Sequence, residues 1–418
     1  MTTRPERHAQ SGGPRENCSA RVVAWGRREQ RLPEAGFAQH HGQDSSMHRG
    51  AVTRARWFGR GCLFTALALA AGLGCQPRPG ARSASAGQGT AATEASGRAE
   101  REVSARFAGV LPRGLTTVAA ATMGDALYLV GGYFGVPHEY SRDLQSGSVR
   151  RMQLSTGVWE ELAGVEPVQS PALVGDGRYL YQLGGMRALN AAREPASLHS
   201  IDAVERFDPA RNRWEPMPSL PEPRSSHQAV VVDGRLYVLG GWALDGGLAD
   251  ASWRDTMLVA DLSQPTLRWN SVKVPFQVRS MGLVALRQGV YVLGGLSPTG
   301  PTSRVYRYDI ATRKWADGPS LPEQSLTPRG AVHADRLIIT TTSGGIYRLS
   351  EDELAWQRVG TLHFPRMFHE MVSSDRGPLV LAGIAENGRG GPLRVIERLS
   401  EEPAPAGVVL NLESATAA

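Results

Sequence analysis

One pattern constrains this chain more than any other: a short apolar run closed by two small residues, returning at nearly even intervals. It reads Leu127-Tyr128-Leu129-Val130-Gly131-Gly132, Leu180-Tyr181-Gln182-Leu183-Gly184-Gly185, Leu236-Tyr237-Val238-Leu239-Gly240-Gly241 and Val290-Tyr291-Val292-Leu293-Gly294-Gly295. Two degenerate copies follow, Leu337-Ile338-Ile339-Thr340-Thr341-Thr342 and Leu379-Val380-Leu381-Ala382-Gly383. From one first small residue to the next the steps are 53, 56, 54, 47 and 41, about 50 on average. A repeat of this length is one supersecondary unit that buries its apolar faces only against its neighbours. The runs are apolar throughout, as expected of strands covered on both faces.

A second marker fixes the register. Trp159, Trp214, Trp269, Trp315 and Trp356 precede the next small pair by 25, 26, 25, 26 and 26 residues, whereas the distance from each pair forward to its Trp falls from 28, 30 and 29 to 21 and 15. One half of the unit is therefore rigid and the other is a loop of free length. The small pair, an aromatic residue seven places before the Trp (Phe207, Tyr308) and the Trp itself resemble the kelch motif, best seen in residues 204–214 and 305–315. The resemblance covers roughly residues 105–400.

It implies an all-β fold, a six-bladed kelch-type β-propeller of four-stranded antiparallel blades spanning 104–402. Each Trp would fill the space between adjacent blades, so that removing one costs about 3–5 kcal/mol. Thr341-Thr342 stand where Gly-Gly is expected, and the turn of that blade falls on Ser343-Gly344-Gly345. The sixth unit has no Trp after it. Phe107, 24 residues before Gly131, sits near the Trp spacing, so residues 105–111 are expected to complete the last blade and remove its open edge. Val408-Val409-Leu410 is the competing candidate.

Composition locates the rest. Of 46 Lys+Arg and 40 Asp+Glu, residues 1–60 hold 11 and 5, leaving 35 of each sign beyond them. The body is neutral, which argues against a nucleic-acid surface. Arg54, Arg56 and Arg60 precede an apolar stretch at 62–73 and then Gly74-Cys75. Residues 47–75 thus read as an export signal, too short to span a bilayer. Its end resembles a bacterial lipobox, with Cys75 the lipidated residue; an ordinary cleaved secretory signal is the alternative. Residues 1–46 read as an upstream extension before Met47, 76–103 as a flexible Gly/Ala/Ser-rich tether and 403–418 as a C-terminal tail. The expected location is exported and lipid-anchored to the cell envelope, or secreted. The only membrane contact would be that anchor.

In such blades the loops after each small pair share a face with the lead-ins to the first strands. That face collects Arg113, Arg224, Arg279, Arg329 and Arg366. A guanidinium ring around a channel suits an acidic ligand; equally, such arginines hydrogen-bond loop carbonyls. His227 and His369 are expected to be structural rather than metal ligands. The long loops 133–148, 186–203 and 242–256 carry Tyr133, Trp242 and Trp253. The two tryptophans lie outside the repeat register, and offer either a stacking surface for sugar or peptide or packing for their own loop.

Two functions follow. One is an exported recognition module binding a protein or carbohydrate partner through the loop-rich face; the other is a sugar-acting isomerase resembling sialic acid mutarotases. The kelch copper-radical oxidases need a cysteine cross-linked to a tyrosine, and no cysteine follows Cys75. No metal or cofactor is expected.

Overall fold

The computed structural model describes residues 102–388 and 390–402. Among them there is no α-helix, only strands and two short 3-10 turns. Six four-stranded antiparallel sheets follow one another, numbered here as blades. Blade 3 shows the plan: Gln228–Val232, Arg235–Leu239, Thr256–Asp261 and Asn270–Lys273 pair in that order. The innermost strand of each blade touches that of the next, and blade 6 touches blade 1, so the sheets close a ring. Blade 6 draws Glu370–Val372, Leu379–Leu381 and Val395–Ser400 from the C-terminal side, and its outermost strand is Ser104–Val110. The alternative closing segment at Val408 lies outside the described residues, as do the expected signal, Cys75 and the tether up to residue 101, whereas Val103, expected to end the tether, is buried in the fold.

The core is distributed as one apolar cluster per junction. Leu127, Leu129 and Met152 of blade 1 meet Leu379, Leu381 and Ile396 of blade 6, and five comparable clusters fill the other seams. The second strands are therefore buried on both faces, as Ala126–Val130 is along its whole length. The tryptophans sit at these seams and also cross them by hydrogen bond. The indole N–H of Trp159 donates to Val110 O (2.9 Å), Trp214 to Ala163 O (2.8 Å), Trp269 to Pro218 O (3.1 Å) and Trp356 to Pro319 O (2.8 Å). In each case the acceptor belongs to the outer end of the preceding blade, and Val110 takes that place for blade 6. Trp315 instead meets the Phe276 ring edge-on at 5.0 Å. Phe107 does not stand in for a sixth tryptophan: it is 48% exposed, and Val103 and Ala105 fill that seam with Val359 and Leu399.

The glycine pairs have a specific cause. At Gly240 and Gly241 φ is 72° and 87°, where a side chain is strained. A Cβ on Gly241 would lie 2.6 Å from Ser225 O and 2.8 Å from His227 Cβ. Its amide donates to Val278 O of blade 4 (2.8 Å), and Gly383 likewise donates to Leu115 O (2.8 Å), fastening blade 6 to blade 1. Where Thr341-Thr342 replace the pair, the turn tightens: Gly344 N–H bonds Thr341 O at 3.0 Å, and the Thr341 hydroxyl reaches Glu323.

Candidate functional site

A ring of backbone defines the channel mouth. Thr117, Ser170, Ser226, Ser280 and Phe368 all adopt φ between 48° and 56°. They stand 14 residues before the first small residue of their unit, as does Thr327. Four of these five positive-φ residues carry small hydroxyl side chains in a backbone conformation that side chains rarely adopt, and the fifth is Phe368. Ser170 N–H donates to Thr117 O (2.8 Å), Ser226 N–H to Ser170 O (3.2 Å) and Ser280 N–H to Ser226 O (2.8 Å), so the carbonyl of one blade holds the next. At blade 5 the Arg329 guanidinium bonds Ser280 O (3.2 Å).

Above this ring lies a cavity of about 790 Å³ including its open part. The loops expected at 133–148, 186–203 and 242–256 build a wall on one side of it. Met186–Ala188, Leu198–Ser200 and Asp245–Gly246 form a small sheet across blades 2 and 3. The Gln145 side chain bonds both the N–H and the carbonyl of Ala188 (2.7 and 3.0 Å), tying blade 1's loop to it. Tyr140 and Trp242 pack on its apolar side. From that anchor the loop reaches back to blade 6, where the His138 ring meets Phe368 edge-on at 5.9 Å.

The five arginines have separate fates. Arg224 is fully buried and donates to Gly240 O, Thr256 O and Thr256 Oγ1 at 2.9–3.3 Å; burial lowers its pKa to about 10. Arg366 is also fully buried, bonded to Phe364, Ala382 and Val395 carbonyls and ion-paired with buried Glu397. Both lock their blades and leave no fork for a ligand. Arg113 lies off the channel, its guanidinium 3.3 Å over the Phe134 ring. Arg329 lines the mouth but holds both oxygens of Glu370 at 3.1 Å. The expected guanidinium ring thus reduces to one free fork.

That fork is Arg279. Its guanidinium lies 3.8 Å over the Trp242 ring and 5.6 Å from that of Trp253. Burial lowers its pKa, and no carboxylate faces it. Among the arginines and carboxylates lining the mouth, Arg329 and Glu370 pair with each other and Arg279 is left without a carboxylate partner. Several buried polar atoms here have no partner: Arg279 Nε, Trp242 Nε1 and Thr117 Oγ1. Trp242 and Trp253 face each other across two paired two-residue strands, Trp242–Ala243 and Ser252–Trp253, 5.8 Å between rings. They pack the loop and also support the arginine. Tyr133 lines the cavity as expected, though it is buried, and its hydroxyl donates to Glu139 O, so it also braces the loop.

His227 and His369 are buried, in blades 3 and 6 respectively, and His369 Nε2 lies 3.0 Å from Thr340 Oγ1. Among the described residues no group of three or more His, Cys, Asp or Glu is placed to hold a metal. Reading residue types along the sequence missed Glu370, which directly follows His369 in a degenerate copy, and the hydroxyl ring, whose constant 14-residue offset was a usable signal.

These sheets, closed in sequence order around a channel, define an all-β propeller-like fold. The kelch motif profile matches residues 278–322. A human kelch repeat and BTB domain-containing protein 13 is 29% identical over 285 residues, 63% of this chain and 56% of its own. Kelch-like protein terF of Aspergillus terreus is 29% identical over 205 residues, 47% and 43%. Kelch repeat and BTB domain-containing protein 12 of Danio rerio is 31% identical over 183 residues, 41% and 29%. The matches thus span about a third to a half of the length of these relatives. A solved structure of YjhT aligns with a TM-score of 0.55 at 14% identity, over 69% of this chain and 95% of that one, a likeness of fold. This chain is a kelch-repeat protein.

Proposed function

We propose that this propeller is a recognition module that binds an acidic group of a protein or glycan partner at the channel mouth. The observation that carries this reading is Arg279: a cation stacked on Trp242, with a buried Nε and no counter-charge, at the floor of a walled opening. A carboxylate would supply the missing acceptors and charge. Kelch-repeat relatives with interaction-type domain names are consistent with binding rather than turnover. The isomerase reading needs a carboxylate free to move a proton. Glu370 is the acidic side chain lining the mouth, and Arg329 occupies both of its oxygens. The export signal read at 47–75 would place the module on the cell envelope through Cys75.

Binding of the full chain to arrays of acidic and neutral glycans and of acidic peptides tests this. We expect acidic hits that vanish in Arg279→Ala. Hits indifferent to that substitution remove the mouth from the reading, and fast anomer exchange of sialic acid by NMR overturns the non-enzymatic assignment.

A further inference from the structure

The wall beside the mouth carries a separate set of groups on its other side. In the small sheet of Met186–Ala188, Leu198–Ser200 and Asp245–Gly246, the side chains of Met186, Ala188 and Leu198 join Leu244 in one apolar cluster, and Met186 lines the mouth. Side chains alternate along a strand, so Ser197 and His199, which flank Leu198, share the opposite side. Asp245 stands directly across from His199 in the strand register and joins them there.

The three polar side chains form one hydrogen-bonded chain. His199 Nδ1 lies 2.9 Å from Asp245 Oδ1, and His199 Nε2 lies 3.1 Å from Ser197 Oγ. With the ring proton on Nδ1, facing the carboxylate, Nε2 is an acceptor aimed at the hydroxyl. Both distances lie within the reach that a nucleophile, its base and the group orienting that base require. The surrounding backbone fixes all three. Ser197 N–H donates to Oδ1 of buried Asn190 (3.0 Å), Leu189 N–H donates to Ser197 O (2.8 Å), and the Asn190 amide donates to Tyr140 O (2.5 Å). Next to Asp245, Leu244 N–H donates to Ser200 Oγ (3.0 Å) and Ser200 N–H to Leu244 O (2.9 Å). The side chains of His199 and Asp245 are 35% and 93% exposed, and Ser197 is half-buried, so a small molecule reaches the hydroxyl from solvent.

We propose that Ser197 is a nucleophile toward small carboxylic esters, with His199 as its base and Asp245 as the positioning residue. Ser197 Oγ attacks the ester carbonyl carbon while its proton passes to His199 Nε2. That proton goes to the leaving oxygen as the C–O bond breaks, leaving acyl-Ser197 and an alcohol. Water then attacks the acyl carbon and gives a proton to the same nitrogen; the acyl–Oγ bond breaks, the acid departs and Ser197 regains its proton. The site is open to water, so electrostatic stabilisation of the transition state is weak there. The substrate class is therefore an ester whose alcohol leaves readily, an aryl ester. This site lies across the wall from the mouth and does not depend on the reading given for Arg279.

The test incubates the full chain with p-nitrophenyl acetate, follows release of p-nitrophenolate, and maps the acetyl group by tandem mass spectrometry after an acid quench. Acetylation of Ser197 is expected, with turnover lost in Ser197→Ala and lowered about a hundredfold or more in His199→Ala. Asp245→Asn should keep KM and the melting curve and lower kcat about tenfold or more, and Asp245→Glu should restore part of that loss. A chain of hydrogen bonds that only joins the two hairpins would shift the melting curves of these variants and leave the wild type without acetyl-Ser197. Release by the wild type no faster than in buffer, acetyl groups found only at other residues, or release unchanged in Ser197→Ala overturns the proposal.

Discussion

The two buried histidines make acid sensitivity a direct test of the interior. Burial, with Arg224 nearby adding to it, holds the His227 pKa at about 3. Burial also holds His369 well below its ordinary range, with Arg329 and Arg366 assisting. In the unfolded chain both titrate near 6.5. Below that pH the unfolded state takes up protons that the native state refuses, so stability falls as pH falls, by about 1.4 kcal/mol per pH unit per histidine. Between pH 6 and pH 4.5 this amounts to roughly 2 kcal/mol for each. Glu370 acts in the opposite sense: burial raises its pKa, so the native state protonates first and gains stability on acidification. The difference between wild type and a histidine variant removes that contribution. Met is the natural replacement, because Met281 follows Ser280 in blade 4 as His227 follows Ser226 in blade 3. Urea unfolding followed by tryptophan fluorescence should show His227→Met losing about 2 kcal/mol less than wild type over this interval. Parallel curves would mean that His227 takes up a proton inside the fold, and the argument from its burial would be wrong.

Arg279→Ala should weaken binding of an acidic partner group by about 1.5–3 kcal/mol, roughly 10- to 150-fold, measured by isothermal titration. Its stability should change by no more than about 1 kcal/mol, since the lost contact is a partly exposed cation–π pair. Glu397→Ala should cost about 3–5 kcal/mol in denaturant unfolding by leaving buried Arg366 uncompensated, whereas the paired change Arg366→Met with Glu397→Leu should cost much less. Trp214→Ala should cost about 3–5 kcal/mol, and Trp214→Phe should recover most of that while losing about 1 kcal/mol for the bond to Ala163 O.

The propeller was legible because its signals are local. A strand wedged between two neighbours must be apolar on both sides, and a backbone that approaches the next blade must drop its Cβ, so Leu236 to Gly241 announce their environment in six letters. The same physics explains the weak copies. Ala382-Gly383 keeps the left-handed backbone and the bond to Leu115 O, while Thr341 is accommodated by a tighter turn. Satisfaction of a guanidinium is not local in this sense. Arg366 is matched by Glu397, 31 residues away, and Arg224 by Thr256, 32 residues away, and residue type alone announces neither pairing.

Register recovers part of what residue type conceals. Counted from the left-handed residue of each blade, Arg224 and Arg366 both stand two positions before it, at Ser226 and Phe368 respectively. They share one fate: each bonds the carbonyl of its own blade's first small residue, Gly240 or Ala382, and the start of the third strand, Thr256 or Val395. Arg279 stands one position before Ser280, as Thr116 and Gln169 stand before Thr117 and Ser170, and all three line the mouth. A shift of one residue along an extended lead-in turns the side chain to the opposite side. At two before the marker the arginine faces the blade and is consumed by carbonyls; at one before, it faces the axis and keeps its donors. Arg113, four before Thr117, falls outside both positions and lies at the seam with blade 6. On the proposed reading, what the channel mouth offers an acidic group therefore rests less on how many arginines approach it than on Arg279 being out of step with Arg224 and Arg366.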